Sequence, residues 1–159
     1  MTAEVTPHHF TLDESMLTGY DTNYKMNPPL RTKDDIKAIK KALKNDIIDV
    51  IATDHAPHAE LDKDVEFNNA AFGIIGLETA FPLIITELVL QDVLTLSQAV
   101  SKITINPAKI LNLKKGTLSV GADADITVAD INKEIEINEE FFGSRSSNSP
   151  FIGKKMKGA

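Results

Sequence analysis

The run Ile47-Ile48-Asp49-Val50-Ile51-Ala52 restricts this chain more than any other feature, because it is nearly continuously apolar and rich in β-branched side chains. A half-exposed strand alternates, whereas a run of this kind reads as a parallel strand buried on both faces. A helix precedes it within a few residues. Thr32 caps that helix, Asp35 completes a capping box, and Ile36, Ile39 and Leu43 share one face, with Lys37, Lys40, Lys41 and Lys44 off it. Helix, short loop and buried strand form the rhythm of an α/β fold. A shorter strand-like run, Ala3-Glu4-Val5-Thr6, stops at Pro7.

Residues 18–31 read as a loop whose end Pro28-Pro29 makes rigid, and a long polar loop follows Asp54 as far as about Gly76. Leu77 to Gln91 reads as a buried helix, apolar nearly all round, with Pro82 in its first turns or at a kink. Thr95 and Gln98 box another helix whose inward residues are Leu96, Val100 and Ile103, and Asn106-Pro107 opens a short third. Gly116, Gly121, Ala124, Ile126, Val128 and Ile131 then read as turn, strand and turn, and Ile135 and Ile137 as another strand. Residues 143–150 read as a loop, with no closing element expected after it.

The 159 residues suffice for one ordinary domain, with 17 basic against 23 acidic residues and no basic block to suit nucleic acid or an anionic membrane. The absence of cysteine excludes disulfides, thiolate metal sites and a cysteine nucleophile, and fits a cytoplasmic protein. No apolar stretch is long enough to span a bilayer.

The densest polar cluster is Thr53-Asp54-His55-Ala56-Pro57-His58, at the C-terminal end of the buried strand, where α/β folds place their ligands. A carboxylate there suits metal binding and proton shuttling, although Asp54 also suits a turn cap with His55 and His58 at the surface. His8 and His9 follow the first strand; neighbours in an extended segment point to opposite faces, so at most one would meet a given metal. Asn27-Pro28-Pro29-Leu30-Arg31 could hold an amide or guanidinium against a polar ligand, and the glycines between Phe72-Gly73 and Gly76 permit a hinge or a close backbone approach.

In this order, the stretches Glu4–His9, Asn23–Arg31, Ile51–His58 and Phe72–Pro82, followed by Gly116-Thr-Leu and Gly121-Ala-Asp-Ala-Asp-Ile126, resemble the bacterial class I dihydroorotases of the amidohydrolase superfamily over nearly the whole chain. The resemblance implies the C-terminal part of a metal-dependent (β/α)₈ barrel in residues 1–112 and part of a small β-domain in residues 113–159. It implies zinc, one or two ions per complete site, and reversible cyclisation of N-carbamoyl-L-aspartate to dihydroorotate in pyrimidine biosynthesis. By position, Asp54 becomes a zinc ligand and the acid/base that moves a proton to the leaving nitrogen. Asn27, His58 and the Phe72-Gly73 backbone become substrate-binding. The residue matching Glu4 touches an additional zinc in some relatives, and His8 and His9 match positions that are not main ligands. The family's His-x-His pair does not occur here. The expected partners are therefore the small-molecule substrate and the N-terminal barrel portion, with a homo-oligomer left open and the chain inert by itself. An allantoinase- or hydantoinase-like cyclic amidohydrolase and a non-catalytic dihydroorotase-like subunit are the alternatives.

Overall fold

The structure, a computed structural model, describes residues 1–159. Strand β1 (Glu4–Val5) lies parallel to β2 (Val50–Ile51), Glu4 opposite Val50 and Val5 opposite Ile51, with helix α1 (Lys33–Lys44) between them in sequence. Both halves of the Thr32–Asp35 capping box form, and Leu43 carries the helix's packing at 0% exposure. The strand is shorter than the apolar run that announces it. The amides of Ile47 and Ile48 both donate to Ala42 O, so these residues finish the helix turn, and Ile47 is 66% exposed.

Helix α2 (Glu60–Lys63) lies within the long loop, which is therefore not structureless. Helix α3 (Leu77–Ile84) buries Leu83 and Ile84 and leaves Leu77 exposed. Pro82, inside it, has no N–H to donate, and just beyond it the helix widens into a π turn over Ile85–Val89, closed by Leu90 N–H to Ile85 O at 2.9 Å.

Helix α4 (Leu96–Ile103) carries the expected Thr95–Gln98 capping box, but its inward face is not the expected one. Ala99 and Lys102 are buried, whereas Leu96 and Val100 stay exposed. The stem of Lys102 covers apolar surface while its ammonium reaches Ile48 O at 2.7 Å and Asp46 Oδ1 at 3.0 Å, which turns that face toward β2. Helix α5 (Ile105–Ile110) begins before Asn106, whose side-chain amide donates to Asp49 O at 2.8 Å and fastens the helix beside β2.

Strand β3 (Glu134–Glu136) pairs antiparallel with a closing strand β4 (Lys155–Lys157), which sequence reasoning missed because Lys-Met-Lys offers one apolar side chain. Met156, opposite Ile135, joins Ile137, Phe142 and Phe151 in the same hydrophobic cluster as Leu83, Ile84 and Leu88. The strand expected around Ala124–Val128 does not form. Leu118, Val120, Ile126 and Val128 are exposed, and nothing in this chain pairs with that stretch. No helix is long and apolar enough to cross a membrane.

An open apolar groove of about 650 Å³ runs along β2, lined by Val50, Ile51, Leu77, Phe81, Ile110 and Leu111 among others. Unpaired strand edges beside apolar surface invite association. Residues 1–159 expressed alone should therefore associate rather than melt cooperatively as a monomer. Light scattering and a thermal scan check this, and a monodisperse monomer with a sharp transition would contradict it.

Candidate active site

The chain leaves β2 through Thr53 and turns at Asp54, which is exposed and sits at φ 49. Left-handed backbone at a non-glycine residue is strained, and it persists only where the flanks are fixed. Before it, Ala52 N–H donates to Val5 O at 3.0 Å. After it, His55 bridges to Ile74 in parallel, and its Nδ1 accepts the amides of Gly76 and Leu77, each at 3.2 Å. His55 thus satisfies free amides at the start of α3 through its Nδ1. The close approach explains Gly76, where a Cβ would lie 2.7 Å from Thr53 O. The Asp54 carboxylate makes no hydrogen bond or ion pair within the chain, so it is open to a ligand.

His58, Phe72 and Gly73 are brought together. His58 Nε2 donates to Phe72 O at 2.8 Å, which leaves Nδ1 as the ring nitrogen without a protein partner. Gly73 adopts φ +97, and a Cβ there would meet that of Ala56 at 2.7 Å. Its backbone is committed to the framework. The N–H donates to Lys25 O at 2.9 Å, and the carbonyl accepts Lys63 Nζ at 3.0 Å and Asn148 Nδ2 at 3.3 Å. The neighbouring Phe72 N–H has no acceptor in this chain.

Two buried lysines and one buried asparagine hold this loop, and sequence reasoning passed over all three. Lys63 also donates to Thr22 O and Ala71 O; burial pushes its pKa below the usual lysine value. Lys25 donates to Asn68 O and Ala70 O, its ammonium 4.5 Å from the centre of the Phe72 ring. Asn148 reaches in from the C-terminal segment. Lysines in a polar loop and an asparagine between serines read as solvated residues, and nothing in the pattern signals carbonyls in need of donors.

Asn27 is exposed on a neighbouring loop, which the Lys25–Gly73 bond joins to the Phe72 segment. That loop is also tied to β1. His9 Nε2 donates to Pro28 O at 2.9 Å while its Nδ1 faces Thr6 Oγ1 at 2.6 Å. Both histidines lie in a 3₁₀ turn, Pro7–Phe10, and not in the extended segment expected. The proline that ends the strand also starts the turn. His8 is buried, and desolvation, aided by repulsion from His9, lowers its pKa to about 3, so it packs as a neutral ring. Nowhere in the chain do three His, Asp or Glu side chains converge to hold a metal ion.

The amidohydrolase family model matches residues 5–152. The chain belongs to the amidohydrolase family. It is 55% identical over 158 residues to a dihydroorotase of Elusimicrobium minutum and 53% identical to one of Pelotomaculum thermopropionicum. Each match covers 99% of this chain and 37% of the relative, so the chain spans little more than a third of their length. Among solved structures, the L-hydantoinase (dihydropyrimidinase) of Arthrobacter aurescens superposes with a TM-score of 0.89 at 28% identity, over 99% of this chain and 36% of that one.

Gly73 supplies the sharpest structural test of this loop's packing. Gly73→Ala should cost about 1–3 kcal/mol through the left-handed backbone and the Ala56 contact. The urea midpoint of the complete protein measures it, and an unchanged midpoint would contradict the packing described.

Proposed function

We propose that this chain is the C-terminal portion of a dihydroorotase, which interconverts N-carbamoyl-L-aspartate and dihydroorotate. In this reading residues 1–112 complete a (β/α)₈ barrel with strands from the rest of the enzyme, and residues 113–159 contribute to the small β-domain. The observation that carries it is 55% identity to a dihydroorotase across 99% of the chain, against 28% to the hydantoinase. The chemistry agrees. Dihydroorotate carries a ring carboxylate that simple hydantoins lack, and His58 and Asn27 are suited to bind it.

Asp54 fits a metal site as one oxygen donor, exposed, unpaired and at the C-terminal end of a parallel strand. Zinc, when bound there with ligands from the remaining barrel, would supply Lewis acidity toward the ring amide. Asp54 has the second task of holding the proton taken up on hydrolysis and passing it to the leaving nitrogen, reversed on cyclisation. His58 keeps its Nε2–H on Phe72 O, so Nδ1 is the ring nitrogen left to meet the substrate carboxylate. The Phe72 N–H is the backbone donor open to the substrate, and Gly73 supplies the turn that presents it. The hydrogen bonds of the His55–Gly76 region keep Asp54 in place as ligands come and go.

Asp54→Asn in the complete enzyme should lower turnover about 10²–10⁴-fold, the usual cost of a lost general base. The amide matches the carboxylate in shape but takes up no proton at neutral pH. Steady-state rates on dihydroorotate measure this, and a variant within about threefold of the parent would remove Asp54 from the role.

His58→Ala and Asn27→Ala should weaken substrate binding by about 1.5–3 kcal/mol each while leaving zinc content unchanged. Kinetics beside metal analysis decides between roles, since loss of zinc would make either residue a ligand. Parallel assays on dihydroorotate and a hydantoin test the substrate class, and preference for the hydantoin would overturn it.

A further inference from the structure

Asn148 is buried, and both ends of its side-chain amide bond to one loop. Its side-chain oxygen accepts the His58 N–H at 3.2 Å, and its side-chain nitrogen donates to Ala56 O at 2.9 Å and to Gly73 O at 3.3 Å. Its own carbonyl accepts the Ile75 N–H at 3.1 Å. Ala56 and His58 lie on the outgoing limb of the long loop, and Gly73 and Ile75 on the returning limb. One amide side chain therefore clamps both limbs, and it does so from a segment far along the chain. Among side chains of this size only a carboxamide offers donor and acceptor on one planar group; aspartate keeps the acceptor and loses both donors.

We propose that Asn148 is a positioning residue for the reaction assigned above, holding His58 and Phe72 in register so that one substrate meets both. The inference rests on the dihydroorotase reading, since it takes His58 and Phe72 as the groups that touch substrate. The direction of the His58 ring depends on its backbone, held by Asn148, and on Phe72 O, one residue from the clamped Gly73 carbonyl. The Ala56 N–H to Ile74 O bond at 2.8 Å joins the limbs at their base, so without the Asn148 side chain it is the outer part, His58 and Phe72, that loses its fixed spacing. Asp54 is tied by bonds that the Asn148 side chain does not make, to β1 through Ala52 on one side and through the His55–α3 bonds on the other. The loss therefore falls on substrate binding and largely spares the proton-transfer step, because misplacing a binding group degrades the geometry it was holding.

The test uses the complete, zinc-loaded enzyme with Asn148→Asp and Asn148→Ser, each alone and combined with His58→Ala. The expected result for the single variants is a KM for dihydroorotate raised about tenfold, with kcat within about threefold and zinc content unchanged. In the double variants KM should rise by clearly less than the product of the two single effects, since part of what Asn148 holds in place is His58 itself. Asn148→Ser, which adds no charge, carries the test if Asn148→Asp fails to fold; failure of both assigns Asn148 to the core and overturns the proposal. So does a KM within about twofold of the parent, or a full multiplication of the two effects in the double variant. If His58→Ala itself leaves KM unchanged while turnover of dihydroorotate persists, the reading of His58 as a substrate group falls, and the positioning role falls with it.

Discussion

The donation of buried side-chain N–H groups to the carbonyls of the loop between β2 and α3 is the interaction on which the candidate site depends. A loop of this length outside a regular ladder has no automatic partners for its backbone, and buried carbonyls without donors are costly. Lys25, Lys63 and Asn148 supply those donors from three places in the chain. Their targets cluster around Gly73, which explains why that residue turns sharply and why its own amide is engaged in the framework.

This arrangement divides the site into two mechanical parts. Asp54 belongs to the strand and to the helix start that His55 satisfies, so its position follows the sheet. His58 and Phe72 belong to the clamped loop, so their position follows Asn148 and the two lysines. In the proposed reading, where Asp54 serves as both ligand and proton carrier, it gains from the first kind of support, because pre-organised donors and acceptors need no rearrangement during reaction. In the same reading, His58 and Phe72 gain from the second, because loops carried on a fixed frame can change shape without disturbing it. The amidohydrolase family membership and the TM-score of 0.89 with a hydantoinase over 99% of the chain show that this frame, loop included, is shared with a known structure.

The outer half of the chain shows what strands require. Lys155-Met156-Lys157 forms a strand with a single buried side chain because Glu134–Glu136 lies beside it to complete the ladder. Ile126 and Val128, far better strand formers, remain exposed because no partner reaches them. Likewise Ile47 and Ile48 close a helix turn because Ala42 O accepts both their amides. In each case the available hydrogen-bond partner outweighs intrinsic propensity.

Local signals in the sequence determined much of this protein. Both capping boxes form where Thr32 and Thr95 announce them, the β2 region appears where the apolar run lies, and Asp54 falls at the strand's C-terminal end. The capping boxes rest on contacts between residues a few positions apart, and the apolar run marks a buried strand whatever its partner, so the order of side chains encodes both directly. Tertiary structure alone decided that Lys102 rather than Val100 faces inward, that His55 serves a helix start, and that Asn148 joins two limbs of a loop far from it in the chain. Each of those choices depends on which backbone group is left without a partner after the chain has folded, and that shortage exists only in three dimensions.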